Sequence, residues 1–221
     1  MKVKVCGMKF KENMSKVAAL GPDYMGFIFW KPSKRHFTGT ADKIPNTVKR
    51  VGVFVDASID EVLGKIDAFD LDIIQLHGKE DTMYCAQLQK ELNARLLETT
   101  KTPNKGIEVI KVFSILDTFD FSILAGYEPF CNYFLFDTKG KLPGGNGYAF
   151  NWEVLNQYPS HTPFFLSGGI GPDEIEKLQE FIQSPASAHC HAIDVNSKFE
   201  IEPGIKSIDP LSTFIKTIKK F

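Results

Sequence analysis

Eight short apolar runs recur along the chain, each followed by a polar turn and then, in most cases, by a segment with helical spacing. The runs cover residues 3–6, 24–30, 51–56, 73–77, 109–115, 133–137, 164–167 and 192–195. Most are continuous rather than alternating, the pattern of strands buried on both faces. Their starts lie about 21–36 residues apart, the length of one strand–helix unit. The intervening segments carry helix signals. Ser58-Ile59-Asp60-Glu61 pairs a capping serine with an acid three residues on, ahead of Val62, Leu63 and Ile66. Asp81 opens a segment with Met83, Cys85, Leu88 and Leu92, and Pro172 and Pro210 stand at the starts of two more. Shorter helices are expected at about 41–48 and 152–157, both beside prolines.

Eight such strands with eight crossovers, and no linker rich in Gly, Ser or Pro, predict an α/β fold: a single (β/α)₈ barrel over residues 1–221. An open doubly wound sheet is the competitor. It usually has a glycine-rich turn after its first strand, whereas Cys6-Gly7-Met8-Lys9 has one glycine. A chain of 221 residues fits one such unit with few additions. Its 26 basic and 27 acidic side chains leave a net charge of −1, which argues against nucleic acid or an anionic membrane as partner. The four cysteines are widely spread, so neither a disulfide framework nor a zinc knuckle is expected. The N-terminus lacks the apolar stretch of a signal peptide, and no run reaches the length of a membrane span. A cytoplasmic protein is the expectation.

In such a barrel the chemistry sits at the C-terminal ends of the strands and in the loops that follow. Cys6, Asp56, Gln75, His77, Asp137, Gly168, Gly169 and Asp194 take those positions, with Arg35 in the loop after the second strand. The glycines of Ser167-Gly168-Gly169-Ile170-Gly171 allow backbone N–H groups to approach an anion, with Asn196 and Ser197 at the neighbouring strand end. A tight turn alone would also use such glycines. Gly144-Gly145-Asn146-Gly147 lacks the spacing of a dinucleotide fingerprint and reads as a loop over the barrel mouth or a backbone contact to substrate. Cys6 is a nucleophile or base, or else a small buried hydrophobe. Asp137, beside Phe134-Leu135-Phe136, suits a general acid or a loop cap, and Asp56 and Asp194 occupy similar places. Arg35 can grip a carboxylate or phosphate, or belong to a solvated basic loop. His189-Cys190-His191 falls at the start of a strand, away from the chemical face, so no metal is assigned to it.

With these residues in place, the chain resembles the phosphoribosylanthranilate isomerase family nearly end to end. The resemblance rests on Val3-Lys4-Val5-Cys6-Gly7-Met8, Gly26-Phe27-Ile28-Phe29 with Ser33-Lys34-Arg35, Gln75-Leu76-His77-Gly78, and Leu135-Phe136-Asp137. It continues through Gly144-Gly145-Asn146-Gly147, Ser167-Gly168-Gly169-Ile170, Asp194-Val195-Asn196-Ser197 and Glu202-Pro203-Gly204-Ile205-Lys206. The family implies a (β/α)₈ barrel without cofactor or metal that converts N-(5-phosphoribosyl)anthranilate to 1-(2-carboxyphenylamino)-1-deoxyribulose 5-phosphate by an Amadori rearrangement. By resemblance, Cys6 is the general base, Asp137 the general acid, and Arg35 the partner of the anthranilate carboxylate. Gln75, His77, Gly145 and Asp194 are expected at the substrate, and Gly147, Gly168, Gly169, Asn196 and Ser197 at its phosphate. Departures from the family pattern include Lys34 beside Arg35 and Lys198 after the Asn-Ser pair.

A small-molecule substrate and a monomer or homodimer are the expected partners. Three rivals remain. A related phosphoribosyl-sugar isomerase of histidine biosynthesis works between two aspartates, where this chain offers Cys6. Indole-glycerol-phosphate synthase would need a catalytic lysine, for which Lys111 is the candidate. A barrel that binds phosphosugars without turnover is the third.

Overall fold

The computed structural model describes residues 1–41, 44–98, 106–138 and 150–221. Eight parallel strands close into a barrel in chain order: β1 (Lys2–Val5), β2 (Tyr24–Ile28), β3 (Lys49–Phe54), β4 (Ile73–Leu76), β5 (Glu108–Ile115), β6 (Tyr133–Thr138), β7 (Phe164–Leu166) and β8 (Cys190–Val195). β8 closes on β1 with Lys2 to Val5 opposite Ala192 to Val195. All eight expected strands are present, each within a few residues of its apolar run. Alternate side chains point into the barrel and out toward the helices, and both sides are dry, so the runs had to be continuous.

The interior is filled by Tyr24, Val51, Ile73, Ile110, Val112, Leu135, Phe165 and Ala192. A larger apolar layer lies between barrel and helices. At the N-terminal end the floor is polar. His191 Nε2 lies 2.7 Å from the Tyr24 hydroxyl, and the Tyr133 hydroxyl donates to Glu108 at 3.0 Å. His191 of the His189-Cys190-His191 stretch is thus a floor residue, and no metal-holding group of three His, Cys, Asp or Glu exists among the described residues.

Helices α1 (Lys11–Ala19), α2 (Ile59–Phe69), α3 (Thr82–Glu98), α4 (Ile175–Ile182) and α5 (Ile208–Ile218) follow β1, β3, β4, β7 and β8. Ser58 caps α2 by accepting from the Glu61 N–H at 3.2 Å, and Asp81 caps α3 through the Tyr84 N–H at 2.8 Å. Three crossovers differ from the regular pattern. The helix expected at 41–48 is absent from the described residues there: Ile44 and Val48 are buried, but three-residue turns (Val48 N–H to Pro45 O, 3.0 Å) hold them in place. Pro45 has no N–H to carry a helix through this short segment. After β5 the chain makes a 3₁₀ turn at Phe121–Gly126, and after β6 another at Trp152–Gln157. The latter is capped by Asn151 and followed by Tyr158 and Pro159, so the expected short helix takes the form of two 3₁₀ turns. Beyond β8 the chain adds a small antiparallel hairpin, β9 (Glu200–Glu202) with β10 (Ile205–Lys206).

Candidate active site

At the C-terminal mouth of the barrel, one pocket is lined by Cys6, Arg35, Gln75, His77, Asp137, Gly168, Gly169, Asp194, Asn196 and Ser197. These are the expected site residues, drawn from six strand ends or the loops after them. The two others, Gly145 and Gly147, lie outside the described residues. Asp56 does not line the pocket: at φ 50° it turns the chain after β3, and its Oδ1 accepts from the Lys79 N–H at 2.6 Å. Asp194 is the one of the two that faces the cavity.

Cys6 stands one residue past β1, its N–H bonded to Val195 O at 2.8 Å. Residues two apart on a strand share a face, so Lys4 and Cys6 both point into the barrel interior, Lys4 below Cys6. Lys4 is fully buried, with its ammonium 2.9 Å from Asp194 Oδ1, and Ser167 Oγ donates to Asp194 Oδ2 at 3.2 Å. Burial works against the Lys4 charge, but Asp194 and Cys6 outweigh it and hold its pKa above the usual lysine value. Burial pushes the Cys6 thiol up, and the Lys4 ammonium pulls it back toward the thiolate. Gly26 on β2 makes room for the sulfur, because a Cβ there would lie 2.7 Å from Cys6 Sγ.

Across the mouth, Asp137 is held between its own loop and a histidine. Its Oδ1 accepts the Thr138 N–H at 3.0 Å, and Oδ2 lies 3.4 Å from His77 Nε2. Gln75 Nε2 is 3.2 Å from His77 Nδ1; as the amide donates there, the ring proton belongs on Nε2, toward Asp137. Gln75 Oε1 and His77 Nε2 are buried without a hydrogen-bond partner in the chain. Such atoms are expensive to bury unpaired, and both line the pocket, where a polar ligand can satisfy them. The loop carrying His77 is pinned from below. Glu80 accepts the Asp56 and Gly78 N–H groups and pairs with Lys111 at 2.8 Å. Lys111 is therefore a buried strut, not a lysine presented to substrate.

The glycines after β7 are needed sterically. Gly168 (φ 94°) and Gly169 (φ 68°) occupy the left-handed region, and a Cβ on Gly168 would lie 2.2 Å from Thr138 Oγ1. Arg35 is fixed in its loop by its N–H to Ser33 Oγ at 3.1 Å, and Lys9 Nζ donates to Lys34 O at 3.0 Å. The lysine at position 34 thus sits in a braced turn. Arg35 Nε donates to Glu200 Oε1 and Oε2 at 2.8 and 2.9 Å, and Lys206 Nζ lies 2.8 Å from Glu200 Oε1. Lys4, Ser167, Glu200 and Lys206 were not among the expected site residues. Lys4 carried a signal, its two-residue offset from Cys6. Glu200 carried none, being 165 positions from Arg35.

The geometry defines a class first: a (β/α)₈ barrel with a buried thiol, a carboxylate, an arginine and a glycine turn converging on one mouth. The comparisons with known proteins narrow it. Residues 3–217 match the model of the N-(5'-phosphoribosyl)anthranilate isomerase family. An N-(5'-phosphoribosyl)anthranilate isomerase from Parabacteroides distasonis is 41% identical over 224 residues, covering 99% of this chain and 93% of the relative. The crystal structure of phosphoribosyl anthranilate isomerase from Thermotoga maritima superposes with a TM-score of 0.78 at 27% identity, covering 100% of both chains. A further phosphoribosyl anthranilate isomerase structure, in complex with reduced 1-(o-carboxyphenylamino)-1-deoxyribulose 5-phosphate, has a TM-score of 0.73 at 25% identity, again with 100% of both chains covered. The chain belongs to the N-(5'-phosphoribosyl)anthranilate isomerase family and is an isomerase.

Proposed function

We infer that this site isomerises N-(5'-phosphoribosyl)anthranilate, a step of tryptophan biosynthesis, with Asp137 as acid and Cys6 as base. The observation that carries the assignment is the convergence of both groups on one pocket, with Arg35 and the Gly168–Gly169 turn also lining it. Asp137 delivers a proton to the ribose ring oxygen, the C1–O bond breaks, and the anthranilate nitrogen lone pair forms the iminium. That positive charge acidifies the C2 proton, which the Cys6 thiolate removes, its electron pair closing C1=C2 as an enolamine. Tautomerisation then gives the ketone. His77 Nε2 borders the Asp137 carboxyl at 3.4 Å and is left for a polar group of the substrate, and Lys4 favours the thiolate form of Cys6.

Arg35 takes the anthranilate carboxylate, for which a planar guanidinium is suited. Gln75, His77 and Asp194 meet the sugar hydroxyls, and the Gly168–Gly169 turn with Asn196 and Ser197 takes the phosphate; Gly145 and Gly147 belong to the same reading. A family member in complex with reduced 1-(o-carboxyphenylamino)-1-deoxyribulose 5-phosphate supports this scheme, since that ligand carries a carboxyphenyl group and a 5-phosphate on one chain. A monomer or a homodimer is the reading of the assembly, and the Thermotoga maritima relative is a dimer from which monomers have been generated. Among the described residues no helix is long and apolar enough to cross a membrane. A phosphorylated substrate, which does not pass a bilayer unaided, fits a cytoplasmic enzyme.

The test is direct. The purified chain, mixed with phosphoribosylanthranilate, is expected to remove the substrate's fluorescence at a rate proportional to enzyme concentration. A folded chain that leaves the signal unchanged would contradict the reading.

A further inference from the structure

The hairpin that follows β8 has no part in the scheme above, yet it reaches the site. From β9, Glu200 sends a carboxylate to Arg35 behind the pocket lining, where it meets two cations. Arg35 engages it through Nε and Nη2, and Lys206 of β10 through Nζ at 2.8 Å. The Gly204 N–H at the hairpin bend donates to the same carboxylate at 3.1 Å. Glu200 is 5% and Lys206 0% exposed, so both charges are committed to partners in the protein. Lys206 also donates to Asn196 at O (3.2 Å) and Oδ1 (2.7 Å). Asn196 in turn packs against Arg35 over Gly7 (φ 76°), where a Cβ would lie 2.6 Å from Asn196 Oδ1 and 2.8 Å from Arg35 Cδ.

Two consequences follow from the chemistry. A guanidinium has five N–H donors in a fixed plane, and Glu200 takes the Nε–Nη2 edge. The Nη1–Nη2 end is left to present the fork a carboxylate accepts. The charges also do not cancel: two cations face one anion, so one positive charge remains at the pocket wall, held in a place with little solvent to screen it. An anionic group of the substrate is the natural complement.

We propose that Glu200 is a positioning residue for substrate recognition, holding Arg35 by one edge so that its opposite end receives the anthranilate carboxylate, while Lys206 keeps Glu200 ionised and ties it to Asn196. The proposal rests on the reading of Arg35 as the carboxylate partner. The anthranilate carboxylate makes and breaks no bond in the rearrangement, so on that reading an Arg35 contact to it acts in ground and transition states alike. Losing that contact therefore raises KM and spares kcat.

The experiment compares kcat and KM for phosphoribosylanthranilate in wild type, Arg35→Ala, Glu200→Gln, Glu200→Asp and the double variant Arg35→Ala/Glu200→Gln. Glu200→Asp keeps a negative charge beside Lys206 but withdraws it from Arg35 by one methylene, so it remains informative if Glu200→Gln does not fold. Each Glu200 variant is expected to raise KM about tenfold with kcat within about twofold of wild type. Arg35→Ala should raise KM at least as much, and the double variant should be no worse than Arg35→Ala alone. Folded Glu200 variants with wild-type KM, or a KM increase that multiplies on top of Arg35→Ala, would overturn the positioning role while leaving the Arg35 reading intact. A wild-type KM in Arg35→Ala would instead overturn that reading and the proposal with it.

Discussion

Lys4 Nζ lies 2.9 Å from Asp194 Oδ1, and the two residues are direct neighbours across the β1–β8 pair that closes the barrel. The bond therefore does two things: it joins the first strand to the last, and it fixes a positive charge in the layer beneath Cys6. A buried charge is tolerated only with its partner, so neither residue is replaceable alone.

Lys4→Met should show both roles. Leaving Asp194 without its ammonium is expected to destabilise the fold by about 3–5 kcal/mol in urea unfolding. The Cys6 thiol, already pushed up by burial, should move further up once the offsetting cation is gone. The pH dependence of iodoacetamide labelling at Cys6, read by mass spectrometry, measures this; an unchanged midpoint would mean that Lys4 does not act on the thiol.

Gly26→Ala tests the space allotted to the sulfur. The new methyl would sit 2.7 Å from Cys6 Sγ and 3.1 Å from Cys6 Cα, and the second atom is backbone that cannot swing aside. We expect a loss of about tenfold or more in kcat, with a stability penalty of about 1–3 kcal/mol from overpacking. Wild-type kcat in this variant would show that the thiol position is not critical.

Much of this was legible because a parallel barrel leaves a plain mark. Strands buried on both faces must be continuous apolar runs, and the residue ending each run must lie at the mouth, which is how Cys6 and Asp137 could be singled out. What could not be read were relations made by the closed barrel itself. Asp56, Asp137 and Asp194 look alike in sequence, each at the end of an apolar run. Only their partners separate them: the Lys79 N–H for Asp56, His77 for Asp137 and Lys4 for Asp194. Arg35 and Glu200 meet across 165 positions, beyond any local pattern. The helix expected at 41–48 is not formed by the described residues there, where Pro45 has no N–H to offer and turns hold Ile44 and Val48 in the core.

The barrel floor gives a prediction for acid stability. Burial pushes His191 down to about 4, with the Lys2 ammonium adding to the shift. Glu108 and Asp23 act in the opposite direction, and Lys49 with Lys2. An unfolded histidine takes up its proton near pH ~6.5, so between that value and about 4 the unfolded chain binds more protons than the folded one. Stability should therefore fall as pH drops through this window. His191→Gln keeps a polar partner for Tyr24 but does not titrate. Its urea midpoint should change less than that of wild type between about pH 7 and about pH 4.5; equal slopes for the two proteins would remove His191 as the cause.

The central claim is that Cys6 takes the C2 proton, and steady-state turnover of phosphoribosylanthranilate by Cys6→Ser tests it most directly. A serine hydroxyl fills nearly the same space beside Gly26 but is far too weak an acid to be ionised near neutrality. The expected result is a fall in kcat of about a thousandfold or more with KM within about threefold of wild type. A Cys6→Ser enzyme that turns over near the wild-type rate would contradict the account.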